Sequence, residues 1–261
     1  RIKNTRFWLE KFNFSLHHHL FLEENASYER LLRFFEGKAV GLVLSGGGFR
    51  GFSHVGVINA LIEKHIPIDA IGGTSVGAAT GACYLVAKNQ EEVCKCVKSA
   101  SDAMRKTLRW ISMTLPVISI YSTYYSTNHT RKTFQNKRIE DLPLPFFAIS
   151  ANISNHTEMI HRTGKIWRAV RASAAVPGLF PPVVENGQLL YDGGLLNNLP
   201  TDHMRNLLGE NGIIIVSDLG IIAEDLTRYN FPPSLTPLKL LFSKFGKYKH
   251  KYIFPPLFNT I

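Results

Sequence analysis

Residues 68–79 read I-D-A-I-G-G-T-S-V-G-A-A, with Ser75 between Gly73 and Gly77. The run before Ser75 is short and apolar (Ile68, Ala70, Ile71), and the stretch from Val76 to Val86 is small and helix-prone. G-x-S-x-G, here Gly73-Thr74-Ser75-Val76-Gly77, therefore falls at a strand-to-helix junction, the context of a nucleophile elbow. The glycines have a mechanical reason: the serine must sit on a sharp turn where side chains clash and where positive φ is cheap only for glycine. At the start of a helix, free N–H groups then favour negative charge developing beside the hydroxyl. A helix that merely uses Thr74 or Ser75 as its cap would spell the same letters, so the neighbouring segments decide.

Upstream, Val40–Ser45 is a short apolar run that ends abruptly in Gly46-Gly47-Gly48-Phe49-Arg50-Gly51. Phe52 to Lys64 follows with Val55, Val57, Ile58, Leu61 and Ile62 at helical spacing. Strand, helix, strand, helix in succession predicts an α/β fold with parallel pairing and right-handed crossovers. The glycine run satisfies G-x-G-x-x-G, which also marks dinucleotide sites. Such a site wants an acid at the end of the second strand, whereas Asp69 lies before that strand. The same loop suits another task, since consecutive glycines expose backbone N–H groups in a nest that holds an oxyanion. Gly47 and Gly48 are the candidate donors, with Arg50 orienting the loop or adding positive charge.

Downstream, strands are expected at Phe146–Ala151, Glu158–His161 and Gln188–Tyr191, and helices at Lys165–Val176, stopped by Pro177, and from Thr201. The apolar run Ile213–Val216 reads as a buried strand. A serine nucleophile needs a base. Asp192 followed by His203 obeys the Ser-Asp-His chain order of α/β-hydrolases, yet His203 falls inside an expected helix and has no obvious acid to orient it. Asp192 opens a D-G-G turn with Gly193 and Gly194 directly after an apolar strand, from which its carboxylate could reach Ser75. An ordinary Asp-Gly turn is the competing reading. As a base, the carboxylate would gain from partial burial that raises its pKa.

The chain has 261 residues, 45% of them hydrophobic, and a formal charge of +10. That length supports one large core with appendages, and no apolar run reaches the roughly 18 residues of a membrane-spanning helix. The basic excess favours anionic partners. The three cysteines, Cys83, Cys94 and Cys96, are too few for a disulfide framework and point to a reducing compartment. Sequons at Asn25, Asn128, Asn152 and Asn155 carry little weight without a signal peptide. Arg1 in place of Met points to an excerpt of a longer polypeptide. Residues 1–39 read as a helical lead-in packed on the main domain, and 40–222 as the catalytic domain, with 105–145 a candidate lid or insertion. Residues 223–261 form a basic, aromatic tail suited to an anionic bilayer or to docking on the core. His17-His18-His19 suggests a metal, but consecutive helical residues point in different directions.

The motifs G-G-G-F-R-G, G-T-S-V-G and D-G-G, with R-A-S-A-A-V-P-G-L-F-P-P (Arg171–Pro182) and L-L-N-N-L-P (Leu195–Pro200), occur in this order. Together they resemble the patatin-like phospholipase family, in particular the catalytic domains of the neuropathy target esterase branch. The resemblance runs through about Gly41–Leu219. It implies a three-layer α/β/α fold with a mostly parallel central sheet and a Ser75–Asp192 dyad without histidine. It also implies an oxyanion hole from Gly46, Gly47, Gly48, Phe49, Arg50 and Gly51, and hydrolysis of phospholipid or lysophospholipid acyl esters. No metal and no cofactor are implied, and no nucleic-acid partner is expected. A cytoplasmic, peripherally membrane-associated protein is, with an anionic membrane surface as partner and cyclic-nucleotide-binding domains upstream in a longer chain. Phe49 departs from the family, which usually has a small residue there.

Overall fold

A computed structural model describes residues 2–220 apart from 13, 15 and 116. The expected basic tail, 223–261, lies outside the described residues.

In chain order the elements are α1 (Thr5–Lys11), α2 (Asn25–Phe35), β1 (Val40–Leu44), α3 (Phe52–Glu63), β2 (Ala70–Thr74), α4 (Val76–Val86) and α5 (Gln90–Thr107). Then come α6 (Tyr124–Phe134), β3 (Phe146–Asn152), β4 (Thr157–His161), α7 (Ile166–Ser173), β5 (Val183–Glu185), β6 (Gln188–Asp192), α8 (Thr201–Leu208) and β7 (Ile213–Ser217). The central strands β7, β1, β2 and β3 run parallel to one another. The antiparallel strands β4, β5 and β6 extend the sheet beyond β3. The strands β1 and β2 are buried along their whole length, which is why they read as continuous apolar runs.

Helices cover both faces of the sheet. On one face Leu42, Leu44 and Ile71 pack with Val55 and Ile58 of α3, Ala78 and Ala82 of α4, Val93 of α5 and Val170 of α7. On the other, Val43, Ala70, Phe147 and Ile149 meet Met204 and Leu208 of α8, with Phe34 of α2 against them. The architecture is the three-layer α/β/α arrangement, with its parallel strands at the centre.

Several expectations need correction. The lead-in is two helices with a non-helical stretch between them, so His17, His18 and His19 are not on a helix. Both His17 and His19 place Nε2 on the Glu140 carbonyl, at 3.0 and 2.9 Å, while His18 packs its ring on Phe34. The run Ile213–Val216 is apolar but β7 borders the sheet among the described strands, leaving Ile213 and Val216 exposed. Cys83 and Cys96 are joined in a disulfide with Cα atoms 5.9 Å apart, and Cys94 is free and exposed. The count of three had excluded a framework of bridges but not one bond, which the packing of α4 on α5 allows. Among the described residues, no helix is long and apolar enough to cross a membrane.

Candidate active site

The candidate nucleophile is placed by strand β2, which delivers the chain to Ser75 with φ 55° and ψ −120° before α4 begins. A side chain in that region is strained, so the turn must be held from outside. Ser173 Oγ accepts the Ser75 N–H at 2.8 Å, and the Thr74 hydroxyl donates to the Asn197 carbonyl at 2.9 Å. The flanking glycines serve close approach, not positive φ, which falls on the serine itself. A Cβ on Gly77 would lie 2.1 Å from the Leu44 carbonyl oxygen, and one on Gly73 2.8 Å from the Ala78 nitrogen. The elbow is thus pressed against the end of β1.

Asp192 arrives from the opposite direction. On β3, Ile149 pairs with Thr74 in parallel register, and the next residue, Ser150, pairs with Asp192 in antiparallel register. The strands β2 and β6 therefore run toward each other along β3, and their last residues are set by adjacent positions of one strand. The Ser75 hydroxyl donates to Asp192 Oδ2 at 2.7 Å, and the Gly194 N–H donates to Oδ1 at 2.8 Å. Asp192 is 6% exposed. Burial pushes its carboxyl up to about 6, against the lowering effect of the bonds from Ser75 and Gly194. Gly193 is required by space, because a Cβ there would sit 2.4 Å from the Ile149 carbonyl oxygen.

The glycine loop lies over the elbow. A Cβ on Gly46 would be 3.3 Å from Ser75 Cβ, and one on Gly51 would be 2.1 Å from Val76 Cγ2. Gly48, Phe49, Arg50 and Gly51 form a single 3-10 turn, and Gly48 takes φ 56°. Among the described residues, the Gly47 and Gly48 amides meet no main-chain acceptor, as befits the first donors of a helical turn. The Arg50 side chain folds back on the Gly47 carbonyl at 3.4 Å, and Phe49 is exposed at the rim.

His203 sits on α8 as expected, but its Nε2 is 2.5 Å from Glu158 Oε2 and 3.5 Å from Asp202. An orienting acid does exist, then, on β4, where sequence distance had hidden it. The ligating atoms of Glu158, Asp202 and His203 lie within 4.8 Å of one another, and all three are already paired among themselves or with Asn197. Asp69, whose place had weakened the dinucleotide reading, is buried at the far end of β2, taking two bonds from Arg33 and one from the Val40 N–H.

Three supporting residues escaped the reading of motifs. His54 is fully buried on α3 and bridges the Ser45 carbonyl, at 2.9 Å, to Ser217 Oγ, at 2.8 Å. Burial holds its pKa below the usual value, so the neutral ring is favoured. The helical spacing of His54, Ile58 and Leu61 on the core face was the available signal. Ser173 and Asn198 were visible only within longer runs; Asn198 borders the loop, its carbonyl accepting from the Gly46 N–H at 3.3 Å.

A family model described as patatin-like phospholipase matches residues 42–205. The chain is 40% identical over 230 residues to lysophospholipase NTE1 of Cryptococcus neoformans, covering 87% of this chain and 14% of that protein. It is 35% identical over 236 residues to neuropathy target esterase sws of Drosophila melanogaster, covering 89% and 16%. A solved structure, VipD from Legionella pneumophila, aligns with a TM-score of 0.47 at 18% identity, over 73% of this chain and 52% of that one. The chain thus spans about one seventh of the length of the first of these relatives.

Proposed function

The chain belongs to the patatin-like phospholipase family, and on that premise we propose that it is a serine acyl hydrolase cleaving carboxylic esters of lysophospholipids or phospholipids. The observation that carries this reading is the 2.7 Å bond from the Ser75 hydroxyl to the buried Asp192 carboxylate. In the proposed cycle Asp192 takes the Ser75 proton as Oγ attacks the acyl carbonyl. The Gly47 and Gly48 N–H groups then hold the oxyanion, each such donor typically worth about 10²–10³ in rate. The alcohol leaves with the proton from Asp192, and water attacks the acyl-enzyme under the same base. His203 is assigned no step, since its imidazole is committed to Glu158.

Residues 40–222 are the proposed catalytic unit, and cyclic-nucleotide-binding domains before residue 1 belong to the proposed longer protein. Peripheral placement at an anionic membrane surface is part of the same reading, supported by the formal charge of +10.

The test is labelling by a fluorophosphonate probe together with hydrolysis of lysophosphatidylcholine, diacyl phosphatidylcholine and triacylglycerol side by side. Label at Ser75 and turnover of the first or second substrate are expected. A Ser75→Ala variant that retains the parent rate would overturn the assignment.

A further inference from the structure

We infer that the exposed apolar face of Leu115, Val117 and Ile118, between the bridged residues Met113 and Tyr121, is a bilayer-inserting element that seats the site against anionic lipid. It deepens the proposed hydrolase reading, on which it rests for its purpose alone. The segment between α5 and α6 closes on itself through an antiparallel bridge of Met113 with Tyr121. Thr114 donates its N–H to the Ile120 carbonyl at 2.9 Å and its hydroxyl to the Ser119 carbonyl at 2.7 Å. Most of the apolar side chains of the hairpin face outward. Ser112 and Ser119 are each 7% exposed, while Leu115 is 85%, Val117 87% and Ile118 65% exposed, with Ile111 and Met113 also outward. A hairpin facing water on one side buries its apolar residues and exposes its hydroxyls. Apolar side chains gathered on one exposed surface mark contact with a partner or a membrane.

The surroundings select the membrane. Arg105, Lys106 and Arg109 are exposed on the last turn of α5 and the residues just after it. They are tied to the hairpin base, because the Ser112 N–H donates to the Arg109 carbonyl at 2.9 Å. On the exit side Tyr124 and Tyr125 are exposed. An apolar tip with basic residues and tyrosines at its base matches the depth profile of an anionic bilayer, with side chains in the acyl region and cations and phenols among headgroups. The hairpin is also fastened to the site. Ile120 and Tyr121 donate their N–H groups to the Gly178 and Leu179 carbonyls at 2.8 and 3.0 Å. Three residues before Gly178, the Ala175 carbonyl accepts the Asp192 N–H at 2.9 Å. The base of the hairpin and the Asp192 backbone are thus held by one short segment, Ala175 to Leu179.

The experiment uses the full chain carrying Ser75→Ala, so that lipid is bound without turnover, and sedimentation with vesicles of phosphatidylcholine alone or mixed with phosphatidylglycerol. The parent binds the mixed vesicles. The triple variant Leu115→Ser, Val117→Ser, Ile118→Ser loses at least ~10-fold in partitioning. Reversing Arg105, Lys106 and Arg109 to Glu removes the preference for phosphatidylglycerol. With Ser75 intact, the serine variant keeps its rate on a water-soluble short-chain ester and loses it on vesicle lipid. Equal vesicle binding by parent and serine variant overturns the inference, as does a parent that ignores vesicles. A parent dimer that the serine variant converts to monomer, without change in vesicle binding, assigns the face to self-association instead. If no form hydrolyses the soluble ester while binding still depends on the tip, the hydrolase reading fails and the membrane surface stands.

Discussion

The Ser75 hydroxyl and the Asp192 carboxylate, 117 residues apart in sequence, share one hydrogen bond of 2.7 Å where β2 and β6 meet head-on. Their separation is fixed by backbone register on β3, through Ile149 and Ser150, and does not rely on side-chain reach alone. A carboxylate so enclosed is a stronger base than a solvated one, and in its proposed role its titration is expected in the rate.

With Asp192 held at about 6 by burial, the rate on a soluble ester should rise tenfold per pH unit below that value and level off above it. A pH profile flat from 4 to 8 would remove Asp192 from the role of base. Asp192→Asn should lower the rate by about 10²–10⁴ at pH 8.

The same displacement sets a stability cost with a definite sign. A carboxyl raised from 3.8 to about 6 binds its proton more tightly in the folded state. Folding stability from this group is therefore lost as pH rises through that window and stays lost above it, by up to about 3 kcal/mol. Asp192→Asn should melt above the parent at pH 8, with the difference fading toward pH 4. Calorimetry at the two values checks it.

Glycines at the site should split into two classes. Gly77→Ala drives a Cβ into the backbone of Leu44, at 2.1 Å, and should prevent folding or cost more than about 3 kcal/mol. Gly48→Ala meets no atom within 4 Å and suffers only from φ 56°, at about 1 kcal/mol. Chemical denaturation of the two proteins separates steric from conformational need.

Removing His54 should matter more than removing His203. His54→Ala strands the Ser45 carbonyl and Ser217 hydroxyl in the interior and should cost about 2–4 kcal/mol while loosening the glycine loop. His203→Ala frees Glu158 near the surface and should change the rate on a soluble ester less than about twofold. A large loss with the second variant would return the base to imidazole.

What could be read from the letters was local. The runs at β1 and β2 and the small-residue helix after Ser75 announced themselves because burial on both faces leaves no alternation to confuse. The glycines of the elbow were legible as a pattern but not in cause: crowding by Leu44 demands them, and the left-handed φ belongs to Ser75. Glu158 beside His203, Ser173 under the elbow and His54 under the loop depend on strand order, which no spacing encodes. The histidine run departs from the helical expectation because the chain there is not helical, and both His17 and His19 reach the Glu140 carbonyl. The disulfide was equally invisible, being a product of helix packing.

The two halves of the proposed dyad are rooted in ground of unequal firmness. β2 lies at the centre of the parallel sheet, with four paired positions on each neighbour, whereas β6 is held to β3 by three and otherwise to the three-residue β5. On warming, the β5–β6 ribbon is the part free to peel first, taking the proposed base with it while the proposed nucleophile stays seated. Inactivation should then precede melting and reverse on cooling, so the temperature limit of the chemistry is set by a peripheral ribbon and not by the core.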